Sequence, residues 1–175
     1  LLDVINGLVV VENDRLEWAI AGGEHLYHAR TRVTAAAGTH SAFRIRNPAG
    51  SQMLVVVEFC TPLNVTAIGM GWRVDELTTD LAGAGFTVAI GSRDTREIGQ
   101  IPVAVLSGDN TEAPPGPGGV GNAQNAAVGA PSDARVMVPL GEGTALTFGQ
   151  ESANSALNLA VQWRERPVEA RTEIK

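Results

Sequence analysis

The sequence predicts an all-β domain, an antiparallel β-sandwich of about eight or nine short strands with at most one short helix. Three observations predict it. Apolar and polar residues alternate at period two along several segments, as in strands with one buried face. Clusters of Gly, Pro, Asn and Ser separate those segments at intervals of about 8–12 residues. Helical spacing is confined to one short stretch. The chain has 175 residues, 44% of them hydrophobic, enough for one packed core. We expect an N-terminal arm at 1–14 and a single sandwich domain at 15–175, with a long Pro/Gly-rich loop at 107–133.

Along the chain, Leu1 to Val11 is apolar, through Val4, Ile5, Leu8, Val9 and Val10, and Asn6-Gly7 suits the turn of a small hairpin. Leu16, Trp18 and Ile20 then alternate with Glu17 and Ala19. Phe43 and Ile45 alternate with Arg44 and Arg46. Asn47-Pro48-Ala49-Gly50-Ser51 reads as a hairpin turn, because proline presets one φ and glycine accepts a positive one. Met53 to Phe59 is apolar except for Glu58, which predicts a central strand covered on both faces. Thr66, Ile68, Met70, Trp72 and Val74 form another alternating set. Val74, Leu77 and Leu81 lie near helical spacing, with Asp75 and Glu76 early and Gly83 at the end, so 74–82 is either a short helix or a loop. Phe86, Val88 and Ile90 share a strand face between Gly85 and Gly91. Ser107 to Asp133 holds too little apolar surface to fix itself and predicts a loop ordered by its own domain or by a neighbouring subunit. Pro139-Leu140-Gly141-Glu142-Gly143 predicts a second hairpin turn, between Arg135–Val138 and Thr144–Phe148. Leu157, Leu159, Val161 and Trp163 give the clearest strand, with Asn158, Ala160, Gln162 and Arg164 on its other face.

Composition excludes several classes. A net charge of -6 opposes general nucleic-acid binding, which needs a basic surface. One cysteine permits neither an intrachain disulfide nor a cysteine zinc finger. The longest apolar run, Met53–Val57, is far short of the roughly 18 residues of a membrane span. The first residues lack the basic-then-apolar order of a signal peptide. Of 13 basic residues only Lys175 is lysine; arginine is the better residue for planar, multi-donor contacts, but codon usage in a GC-rich genome, which the alanine and glycine richness also suggests, is the favoured explanation.

Candidate chemistry is sparse. His25 and His28, beside Glu24, could share a metal on a helix, but on a strand an offset of three sends them to opposite faces. His40 is the third histidine. There is no Gly-x-Ser-x-Gly elbow, and Cys60 follows an apolar strand as an ordinary buried thiol would. Asp75, Glu76 and Asp80 cluster, as do Asp94 and Glu97, without the aromatic platforms of a sugar cleft. Gly69-Met70-Gly71 and Gly116-Pro117-Gly118-Gly119 lack the Lys and Ser/Thr of a phosphate loop. Asn64-Val65-Thr66 is a sequon that chance supplies readily. Arg30, Arg32, Arg44 and Arg46 form two pairs, each on one strand face. On neighbouring strands they would make a basic stripe for an acidic partner; otherwise they fill polar faces.

Two stretches carry a resemblance. Phe43-Arg44-Ile45-Arg46-Asn47-Pro48-Ala49-Gly50-Ser51 leads into Gln52–Glu58, and Val138-Pro139-Leu140-Gly141-Glu142-Gly143 leads through to Asn158-Leu159-Ala160-Val161-Gln162-Trp163-Arg164-Glu165-Arg166. Together they resemble small all-β virion proteins of tailed bacteriophages. The glycine turn and amphipathic last strand also look like jelly-roll trimers of the tumour-necrosis-factor/C1q type. The resemblance implies a jelly-roll-like sandwich and a non-enzymatic capsid decoration or cement protein on the capsid exterior. It implies no catalytic residues, no cofactor and no metal. Its partners would be copies of itself, as a trimer or dimer, and the major capsid protein, with no nucleic acid and no membrane. Contacts would fall on Val4, Ile5, Leu8, Val9 and Val10 of the arm, on Arg30, Arg32, Arg44 and Arg46, and on Pro114, Pro115 and Pro117 of the loop. Two alternatives are a phage tail or head-fibre module that binds a receptor or carbohydrate, and a cupin-like metal enzyme built on the histidines.

Overall fold

A computed structural model describes residues 4–5, 8–9, 25–63, 68–76, 79–93, 99–112, 124–126, 138–150 and 152–168. The strands are β1 (Val4–Ile5), β2 (Leu8–Val9), β3 (His25–Val33), β4 (His40–Arg46), β5 (Met53–Pro62), β6 (Ile68–Glu76), β7 (Phe86–Ser92), β8 (Val105–Glu112), β9 (Gln124–Ala126), β10 (Val138–Leu140), β11 (Thr144–Gln150) and β12 (Leu157–Pro167). Two five-stranded antiparallel sheets form, in the orders β10-β5-β12-β3-β7 and β8-β4-β11-β6-β9. β1 and β2 pair apart from them, Ile5 opposite Leu8.

The pairings are nested. β3 pairs with β12, β4 with β11, β5 with β10 and β6 with β9. The chain is therefore one long antiparallel ribbon, rolled so that successive pairs fall alternately in the first and second sheet. That is the jelly-roll order, and it is how an antiparallel sandwich joins distant strands without crossing its connections. β7 and β8 are an excursion from the ribbon's tip, between β6 and β9. They fold back beside β3 and β4 and widen each sheet by one edge strand.

The core follows the alternation. Along β12 the odd residues Leu157 to Glu165 are buried and the even ones half-buried. Trp163, Tyr27, Phe43, Phe148, Ile45 and Leu146 are all under 2% exposed. Tyr27 stacks on Trp163 at 5.5 Å between centroids, and Phe43 on Phe148 at 6.2 Å. Each such side chain contributes on the order of 1.5–3 kcal/mol by leaving water. Gly108 faces inward, where a Cβ would strike the ring of Phe86.

Four expectations are corrected. Asn47–Ser51 and Pro139–Gly143 are corners between sheets, since β4 and β11 lie in one sheet and β5 and β10 in the other. The reversing residues set a change of direction but not the sheet that the next strand enters. The two corners pack together: Asn47 Nδ2 donates to Met53 O (2.8 Å) and Leu140 O (2.9 Å), and Glu142 accepts from Gly50 N (3.1 Å) and Gln52 N (2.6 Å). β5 is interior to its sheet but not covered on both faces: Val55 and Val57 are fully buried, Leu54 and Val56 half-buried. Glu58 is the additional residue of a bulge opposite Gln162/Trp163, and its carboxylate meets Arg164 at 2.6 Å. The 74–82 stretch forms no helix among its described residues, because Val74–Glu76 complete β6 and 79–82 are irregular. Finally, β8 carries the chain through Glu112 and β9 covers Gln124–Ala126, so strands enter the segment 107–133 expected as loop; Ser107–Asp109 are buried beside β4. The expected strand at Leu16–Ile20, and Val10, Asn64, Asp94, Glu97, Pro114, Pro115, Pro117 and Arg135, lie outside the described residues.

Candidate functional site

The sheet layout separates the four arginines. β3 belongs to the first sheet and β4 to the second, so the continuous basic stripe does not form. An alternating Arg-x-Arg pattern decides a face of a strand, not the strand's neighbours.

Arg44 and Arg46 are engaged by their own chain. Arg44 Nε donates to Thr147 Oγ1 at 3.0 Å and its Nη1 to Thr79 O at 2.9 Å. Arg46 is ion-paired with Asp80 at 2.9 Å. Leu81 N donates to Ser107 Oγ at 3.1 Å. These contacts hold the irregular stretch 79–81 against the outer face of the second sheet, on its way from β6 to β7. Burial lowers the Arg44 pKa from its ordinary value; Glu112 opposes this, Arg73 adds to it, and Asp75 and Asp80 oppose it. Both are thus held within their own chain, which fits the reading of these arginines as filling a polar face.

Arg30 and Arg32 differ. Both are exposed on the outer face of β3 and have no ion-pair or hydrogen-bond partner among the described residues. They line a shallow concavity of about 370 Å³ with Leu63, Thr87, Ala89 and Asn158. Small residues on β7 make the trough: Arg30 stands opposite Ala89 and Arg32 opposite Thr87. Beyond them His28 lies over Gly91, whose position could not carry a Cβ without meeting the imidazole at 2.8 Å. Two unpaired guanidiniums over an open trough are suited to carboxylates, which arginine grips with paired donors.

The histidines do not converge. His25 and His28 take opposite faces of β3, as an offset of three on a strand requires. His25 Nε2 is 3.4 Å from Gln100 Nε2; His40, in the other sheet, has Nδ1 2.9 Å from Gln150 O. Among the carboxylates, Asp75 is ion-paired with Arg73 at 2.7 Å and Asp80 with Arg46. Cys60 is buried, and burial pushes its thiol pKa far above the ordinary range. Tyr27, the only tyrosine, and Trp163 are core residues, so neither offers a sugar-stacking platform.

Two features went unread in the sequence. One is Glu165, 1% exposed: its Oε2 accepts from Val103 N (2.8 Å), and its Oε1 from Ala104 N (2.8 Å) and Trp163 Nε1 (3.0 Å). This carboxylate ties the segment leading into β8 across one end of the roll. Its position in phase with the apolar residues of β12 was the available signal. The other is the exposure of β7 at the edge of the first sheet. Its Val88 and Ile90 have the phase of the buried Thr31 and Ala29, yet are 40% and 44% exposed. Edge position, which no local pattern encodes, leaves that face uncovered. Compared with protein-family models, curated proteins and solved structures, the chain matches none.

Proposed function

We propose that the chain is a non-enzymatic structural protein of a virion, a decoration or cement protein that binds the outside of a tailed-phage capsid and its own copies. One observation carries the reading: among the described residues, the centre of the roll is filled by side chains. Its centre is occupied by Trp163, Tyr27, Phe43 and Phe148, so recognition falls to the outer surface. There, Arg30 and Arg32 stand without a partner among the described residues, on an acidic chain. A surface that uses many shallow contacts suits a protein repeated over a lattice, where multivalency multiplies a modest affinity. Jelly rolls serve such assemblies widely.

The test is co-sedimentation. Purified chain is mixed with undecorated heads of the phage whose genome encodes it. Saturation at a fixed small-integer ratio to the capsid subunit is the expected result. A chain that stays in the supernatant as a monomer overturns the assignment.

A further inference from the structure

We infer that the open edge of β7 is the docking site of an extended segment of an acidic partner protein, whose side chains alternate between apolar and carboxylate and which joins the first sheet as a sixth strand. The inference stands on the edge geometry alone and holds whether or not that partner belongs to a virion.

The backbone is phased for it. Thr34 N donates to Gly85 O at 3.0 Å, and Arg93 N to Leu26 O at 2.7 Å, bracketing the β3–β7 ladder. With the register His28↔Gly91, Arg30↔Ala89 and Arg32↔Thr87, these bonds assign those three pairs to the hydrogen-bonded set. The N–H and C=O groups of Val88 and Ile90 therefore point away from β3, toward solvent. Among the described residues no strand pairs with this edge. Phe86-Thr87-Val88-Ala89-Ile90-Gly91-Ser92 carries no charge and no proline, and its ladder has no register shift. Exposed edges are normally blunted by lysine, proline or a bulge, so a bare one of this length is either an aggregation site or a pairing site.

The two faces of the edge specify the occupant. On the inner side, the half-exposed Val88 and Ile90 ask for apolar residues at alternate positions. On the outer side stand Arg30 and Arg32, separated from the edge only by Ala89 and Thr87. An added strand lies about 4.8 Å beyond β7, hence roughly 10 Å from β3. Arginines leaning across the small β7 side chains, and glutamates leaning back, close that gap. Charge complementarity favours such a strand over a second copy. Two β7 edges paired about a two-fold axis would set four arginines on one surface with no carboxylate supplied by either edge.

The experiment titrates the full chain into a fluorescent peptide, Ser-Val-Glu-Val-Glu-Val-Ser, followed by anisotropy. Saturable binding is expected. It should weaken at least tenfold when lysine replaces both glutamates, and at least tenfold in the R30Q/R32Q double variant. A peptide N-methylated at alternate residues, which leaves the protein untouched, should not bind. Lack of saturable binding into the millimolar range overturns the inference, as does equal binding of the lysine peptide, or a dimer of the chain that Ile90→Pro dissociates. Proline is tolerated on an edge whose N–H faces solvent, so that variant keeps the fold.

Discussion

At the scale of single residues, buried polar groups repay the closest reading. Glu165 collects two backbone N–H groups and the Trp163 indole N–H inside the roll. Glu165→Gln replaces one acceptor oxygen with an NH2 that faces these donors. The expected loss is about 2–3 kcal/mol in urea denaturation, the cost of leaving buried donors without acceptors. Cys60 makes a second test. Its raised pKa means that the folded protein keeps the thiol protonated after an unfolded chain, at an ordinary value of about 8.5, has begun to release the proton. The unfolded state then binds fewer protons, so the thiol's contribution is complete below about pH 8.5 and declines above it, by up to about 1.4 kcal/mol per pH unit. Native protein should therefore lose stability in mild alkali more steeply than Cys60→Ala. The same thiol should react with Ellman's reagent only on unfolding.

At the scale of elements, strands were legible and their company was not. Leu157–Trp163 and Phe43–Arg46 took the faces that their alternation dictates, because pleating gives every second side chain to one side. Val88 and Ile90 obey the same rule and are still half-exposed, since periodicity reports the face but not whether a second layer covers it. The corner at Asn47 shows the same limit. Proline and glycine announced a reversal; the hydrogen bonds that make it a link between sheets come from Leu140 and Glu142, far along the chain. Asn47→Ala removes both amide bonds, one of them buried. It should cost about 2–3 kcal/mol, read as a lower urea midpoint. Gly50, with φ at +76°, should cost about 1 kcal/mol on substitution by alanine. Of the expected contact residues, Arg30 and Arg32 are placed where a partner can reach them. Arg44 and Arg46 are engaged by Thr147, residue 79 and Asp80, and what separates the pairs is the sheet each strand enters, which alternation does not encode.

At the scale of the molecule, nested pairing makes nearly every stabilising contact long-range: β3 must find β12, and β4 must find β11. Closing such large loops precedes the gain from pairing, so refolding should take milliseconds to seconds, as for other sandwiches. Stopped-flow tryptophan fluorescence, to which the buried Trp163 contributes, measures it; microsecond refolding would contradict the ribbon description. The nesting has one more consequence. His25 and Glu165 are register partners, so the polypeptide enters and leaves the roll at the same rim. A short linker from Val168 to His25 could join these ends, and new termini could be cut at the exposed Ala49–Gly50 peptide. Such a circular permutant of residues 25–168 should keep the fold, and cargo fused directly before His25 or after Val168 of the unpermuted roll would emerge from one rim.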